Sequence, residues 1–321
     1  LQTTASFSTA RTTSLLNGGG FDVDYGTTLT HGGTISGSGY LVKQGAGTLV
    51  LEGTNTYTAE TVLGQGTLKV TSDAALGAAS ANLRMQGGTL WTVGDIVLAR
   101  SVQSLGNYGM FLVESGTTTL QGPLSGDGIL TKDGAGTLTL AGTSTYSGRM
   151  DVLAGTLQGT TSTLRGTIYN YGRVVFDQDT DGSYQGFMQN SGSVAKRGSG
   201  IVVFEGSQSY TGGTAVEGGT LRLASGATLS SFTGLTVNGG TFDLNGNSQT
   251  ISALAGASGE VALGSGTLAV NQAVNTSYAG TITGSGALIK IGAGTLTLSG
   301  ANSYSGGTIV NGGLLQGTTT S

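Results

Sequence analysis

At 321 residues the chain is long enough to bury a sizeable core, yet only 37% of it is apolar and 61 residues are glycine, a balance that implies many turns. A single proline and no three-residue glycine period exclude collagen, while a charged fraction of 9% is too low for a disordered segment kept soluble by charge. A net charge of −4 offers phosphates no basic field, so no nucleic-acid partner is expected; the lack of cysteine excludes disulfides, thiolate metal sites and cysteine nucleophiles; and no run of about 18 apolar residues could cross a membrane as a helix.

Residues 1–20, LQTTASFSTARTTSLLNGGG, lack a basic stretch followed by an apolar core and do not read as a signal peptide. The one histidine, His31, stands in THGGT, a turn-like setting that predicts a solvated residue. A motif then begins that the chain writes four times, over 39–68, 128–157, 192–221 and 286–315. Its reference glycines are Gly45, Gly134, Gly198 and Gly292, each preceded at two residues by a lysine: Lys43, Lys132, Lys196 and Lys290. Apolar residues follow at +4 and +6, tyrosine at +12 (Tyr57, Tyr146, Tyr210, Tyr304), glycine at +21 and leucine at +23, with no insertion in any copy. Such self-similarity outranks local propensity in deciding architecture. Between the first two copies, SDAALGAASANLRM (72–85) is the best helical stretch, but glycine interrupts it and a loop or short turn is expected.

Within each copy the alternation has period two. Leu49 and Leu51 point one way, Thr48 and Val50 the other, and glycines close a strand of about four residues. The apolar residue at +4 and the leucine at +23 are separated by about one coil of a parallel β-helix, in which short strands and tight turns stack at ~4.8 Å. The predicted fold is all-β, a single-stranded parallel β-helix of about 14–16 coils and roughly 65–75 Å in length. A flat β-sandwich is the alternative, but it leaves the shared register of the copies unexplained.

Reactive groups are scarce. No G-x-S-x-G elbow accompanies His31, so a serine triad has no support. Asp177, Asp179 and Asp181 with Gly182 fit the first half of a calcium loop, but the twelfth position is Met188, where a bidentate glutamate is needed. A carboxylate-rich loop is the plainer reading and a weak calcium site the alternative. Each motif lysine follows an inward apolar residue by two, yet burying four unpaired ammonium groups is costly. The lysines are therefore expected at solvent-facing corners. The motif tyrosines are expected to pack at corners with wet hydroxyls, a carbohydrate-stacking platform being the alternative. No cofactor is expected.

The segments GSGALIKIGAGTLTLSGANSYSGGTIVNGGLLQG (284–317) and GDGILTKDGAGTLTLAGTSTYSG (126–148) resemble the autotransporter-associated β-strand, or passenger-associated transport, repeat of bacterial type V secreted passengers. The copies at 39–68 and 192–221 are more diverged. The resemblance implies a right-handed β-helix exposed on, or secreted from, a Gram-negative cell and exported through a C-terminal outer-membrane β-barrel. Residues 1–321 are then expected to be one continuous passenger segment, lacking signal peptide and barrel, and ending at LQGTTTS. The resemblance specifies the secretion class and not the task; the expected role is a non-catalytic adhesin stalk that meets host glycan, matrix or a neighbouring bacterial surface. The alternative is the stem of a subtilisin-like protease or esterase whose head lies elsewhere, with the repeats assisting secretion.

Overall fold

A computed structural model describes residues 1–106 and 108–317; the last four residues of LQGTTTS lie outside them. The chain forms two compact units, Leu1–Gln158 and Gly159–Ser321. Both are β-solenoids of parallel strands, with about 16 turns in all. The parallel pairing excludes the β-sandwich, whose sheets are antiparallel.

In the first unit a representative coil runs through Val102–Ser104, Gly109–Val113 and Thr117–Leu120, and the next through Leu124–Gly126, Leu130–Asp133 and Thr137–Leu140. Val102 pairs with Leu124, Gly109 with Leu130 and Thr117 with Thr137, so each turn consumes 20–22 residues. One face of this unit joins seven strands, from Gln2–Thr3 to Leu124–Gly126. The second unit repeats the plan: Val202, Leu221, Phe242, Val261 and Ile282 pair in succession and are fully buried. Phe176, Tyr184 and Phe204 thicken its core, with ring centroids 5.2–5.9 Å apart.

The +4 residue does stack on the +23 leucine. Leu49 lies on Leu68, Leu138 on Leu157 and Val202 on Leu221, all within 2% of complete burial. A core therefore arises from few apolar residues because each meets an apolar residue in the next coil, an arrangement worth ~1.5–3 kcal/mol per buried side chain. The outward positions carry small uncharged residues, as in the row Thr28–Thr48–Thr67–Thr89. The stretch 72–85 holds the one helix among the described residues, a single 3-10 turn at Asp73–Leu76, and ends in the strand Leu83–Met85.

Candidate functional site

The motif lysines overturn the expectation of solvent-facing corners. Lys43, Lys132, Lys196 and Lys290 are 0–2% exposed and stand in the inward stacks. Lys43 pairs between Phe21 and Leu63, Lys132 between Phe111 and Val152, Lys196 between Phe176 and Val216, and Lys290 between Val270 and Val310. Strand alternation thus governs their direction, and the aliphatic stems pack as hydrophobes.

Among the described residues the ammonium groups have carbonyl acceptors rather than carboxylate partners. Lys132 Nζ donates to the carbonyls of Asp133 at 2.9 Å, Gly134 at 2.8 Å and Ala154 at 3.1 Å. Lys43 donates to Gln44, Gly45 and Gln65 at 2.6, 2.7 and 3.3 Å. Lys290 repeats this with Ile291, Gly292 and Gly312 at 2.7, 2.8 and 3.3 Å, and Lys196 with Arg197, Gly198 and Gly218. Three donors meet three carbonyls, two in the same turn and one in the next coil. The cost of an unpaired charge is the one quantity legible in the sequence; that a closed turn aims its carbonyls at one point is not. In coils without the motif, buried Gln178 and Gln272 make a neutral counterpart, each donating Nε2 to carbonyls of its own turn and of the following coil.

The invariant glycine at +21 completes the clamp. A Cβ at Gly66, Gly155 or Gly219 would lie 2.8 Å from the lysine Nζ and within 2.5 Å of two carbonyl oxygens, and the φ values of 59–64° are left-handed.

Burial pulls the ammonium groups of Lys43 and Lys132 down to about 8, against the neighbouring carboxylates of Asp22 and Asp133 respectively, and lowers Lys196 and Lys290 as well. An unfolded chain keeps these protons to 10.5, so between about pH 8 and 10.5 the unfolded state binds more protons and stability rises with pH. Tyr57 acts in the opposite sense: burial raises its hydroxyl from 10.0 to about 12, so stability falls above about pH 10. Thermal midpoints are expected to climb from pH 8 towards 10 and drop beyond it. A flat profile from 8 to 10 would contradict the burial of four ammonium groups.

The tyrosines pack at corners, as expected, but their hydroxyls are not wet. Tyr57, Tyr146 and Tyr210 are at most 1% exposed, which removes the stacking-platform alternative for these three. Tyr57 and Tyr210 share hydrogen bonds with Thr61 and Thr214 at 2.5 and 2.7 Å, and the half-buried Tyr304 does so with Thr308 at 2.6 Å. In the second copy Met150 replaces that threonine, and Tyr146 donates instead to the carbonyls of Gly128 and Arg149. Burial raises the hydroxyls of Tyr146 and Tyr210, as it does those of Tyr184 and Tyr278, which fill the same role outside the motif. Tyr57→Phe is expected to cost about 1 kcal/mol in urea denaturation by removing one of the two partners of the buried Thr61 hydroxyl, which keeps its bond to the Leu76 carbonyl at 3.3 Å.

His31 is likewise not a solvated turn residue. It ends the strand Thr28–His31, is 2% exposed, and its Nε2 and Nδ1 lie 3.0 Å from Thr13 Oγ1 and 3.1 Å from the Gly33 carbonyl. Its ring rests 5.5 Å from that of Phe21, and burial lowers its pKa. The turn residues of THGGT are the glycines, with the histidine one step earlier on the strand.

Burial lowers the Lys196 ammonium, and the charges of the three aspartates of 177–181 act against that shift. Asp179 Oδ1 accepts from the Ser199 amide at 2.9 Å and its hydroxyl at 3.1 Å, while Asp181 Oδ1 accepts from the Ile201 amide at 2.8 Å. These carboxylates join one coil to the next, and no group of three or more metal-ligating side chains occurs among the described residues.

Arg100 was not legible as a structural residue. Its guanidinium is buried and donates to Asp73 Oδ1 at 2.6 Å and to the carbonyls of Asp73, Leu76, Gly77, Ala78 and Ala81. It organises the segment 73–81, which holds the one helical turn among the described residues.

The passenger-associated-transport-repeat model matches residues 41–70, 130–158, 194–223 and 288–316, each stretch holding one lysine clamp. The chain is 35% identical, over 91% of its length, to the adhesin BmaC autotransporter of Brucella suis biovar 1 (strain 1330), and spans about a tenth of that protein. No solved structure matches. The chain carries four passenger-associated transport repeats and is similar along nearly all of its length to an autotransporter adhesin.

Proposed function

We propose that this chain is a non-catalytic scaffold segment of a surface-exposed or secreted adhesin, carried in its full-length protein by a C-terminal outer-membrane barrel of a Gram-negative cell. The observation that carries the reading is the similarity, along nearly the whole segment, to a protein named as an autotransporter adhesin. The fate of the reactive groups supports it. His31, the motif lysines and the buried motif tyrosines bond to their own scaffold and offer no nucleophile–base pair to a substrate. The outward faces carry threonine rows suited to many weak hydrogen bonds, where avidity comes from repetition. The partner class is host glycan, matrix or another bacterial surface.

Display of the segment on a non-adherent laboratory strain through an autotransporter barrel should raise attachment to cultured epithelial cells and to immobilised matrix. Equal attachment with and without the displayed segment would overturn the adhesin role.

A further inference from the structure

We propose that the outward face around Trp91 in the first unit docks a protein segment that combines apolar with basic side chains, a proposal that rests on the adhesin reading and narrows its partner to protein. On this face Thr28, Thr48, Thr67 and Thr89 pair in succession, and on an adjoining sheet Thr119 pairs with Thr139. The row Val50–Lys69–Trp91–Leu112 departs from that pattern. Met110 flanks it where the threonine row ends, pairing with Thr89, and Val93 flanks it on the other side, next to Thr92. Val50, Trp91, Val93, Met110 and Leu112 are all half-buried, so they reach solvent as one patch rather than singly. From Val50 to Leu112 the patch crosses four successive strands. At ~4.8 Å per coil that is about 14 Å, a span suited to a short extended segment.

Trp91 is already fixed in place. Lys69 Nζ, from the preceding coil, stands 3.9 Å from its ring centroid, and its Nε1 donates to Glu114 Oε2 of the following coil at 2.8 Å. A tryptophan held on two sides loses little further freedom on binding, and tryptophan is prominent among the residues that carry interface energy. The charge at the rim defines the partner. Glu52, two residues beyond Val50, and Glu114 are exposed, while Asp133, paired with Leu112, is half-buried. Three carboxylates thus border the patch against the one ammonium of the row, Lys69. A segment with lysine or arginine beside its apolar residues meets that rim with opposite charge, whereas an acidic segment is repelled. The net charge of −4 likewise sets a second copy of this chain against the first.

Selection of random phage-displayed peptides on the immobilised chain, followed by fluorescence anisotropy of the enriched peptides, tests the assignment. Enriched sequences should combine aliphatic or aromatic residues with lysine or arginine and bind with a Kd of about 10 μM. Trp91→Ala should weaken them by about tenfold and Glu114→Gln by about threefold, and binding should fade as sodium chloride is raised. Val97→Ala, at a residue 48% exposed on the adjoining sheet, should leave binding unchanged. Retained circular dichroism and thermal midpoint separate these losses from misfolding. An absence of enriched peptides, binding that survives Trp91→Ala, or a preference for acidic sequences would overturn the site. So would sedimentation as a Trp91-dependent dimer, which gives the face to a second copy, or glycan binding lost in Trp91→Ala, which gives it to a sugar. Cell attachment that survives Trp91→Ala would sink this face alone. Peptide binding through Trp91 by a segment that confers no attachment would sink the adhesin role alone.

Discussion

Replacement of Lys132 by methionine is expected to destabilise the first unit by about 3 kcal/mol, although it removes a buried charge from an apolar stack. Methionine has nearly the shape of the lysine stem, so packing between Phe111 and Val152 is retained. What is lost is the donor set for three carbonyls, Asp133, Gly134 and Ala154, which the closed turn continues to aim at one point. Stranded buried acceptors cost about 1–3 kcal/mol each, partly offset by the desolvation that the ammonium no longer pays. Lys69→Met provides the contrast. Lys69 is half-buried and sits 3.9 Å from the Trp91 ring centroid, so its loss should cost less than about 1 kcal/mol. Urea denaturation of both variants decides the matter: equal losses would mean that the clamp contributes nothing specific.

Gly155→Ala should be more damaging still, at about 4 kcal/mol. The residue has φ 64°, and its new Cβ would lie 2.4 Å from the carbonyl oxygens of both Gly134 and Gly136 and 2.8 Å from Lys132 Nζ. Left-handed backbone costs alanine ~1–2 kcal/mol, and displacing backbone that already serves the lysine adds a similar or larger amount. Gly94 has φ 78° with open space around it, so Gly94→Ala isolates the conformational part and should cost about 1 kcal/mol. If the two variants unfold at the same urea concentration, the crowding at Gly155 has no energetic weight. Because Gly155 and Lys132 share a partner, the double variant should lose less than the sum of the single ones.

The coil was legible because its determinants are local and repeated. A leucine must meet an apolar residue one turn later, and Leu49 with Leu68 or Leu138 with Leu157 reports that turn length directly. The lysines were harder. Their two-residue offset from Leu41, Leu130, Val194 and Leu288 correctly indicated an inward direction, but a charge balance that counts only carboxylates rejects it. The carbonyl trio exists only after the turn has closed, and the one trace it leaves in the sequence is the glycine at +21. His31 and the tyrosine hydroxyls failed for the same reason: their partners, Gly33 and Thr61 among them, acquire meaning as acceptors only once strand direction is known. Arg100 has no counterpart in the repeats, so periodicity could not draw attention to it.

The third acceptor of each lysine also gives the solenoid a direction of growth. Gln65, Ala154, Gly218 and Gly312 each lie 22 residues beyond their lysine, in the coil on its C-terminal side. A coil laid onto an existing C-terminal neighbour completes its ammonium's bonding on arrival, whereas a coil laid onto an N-terminal neighbour leaves its own lysine one acceptor short until another follows. Each addition closes a loop of about twenty residues whatever length has already formed, so contact order stays low and the entropic barrier does not rise as the stack lengthens. Each step thus meets a similar entropic cost, and the coils that carry lysine favour addition onto a C-terminal neighbour.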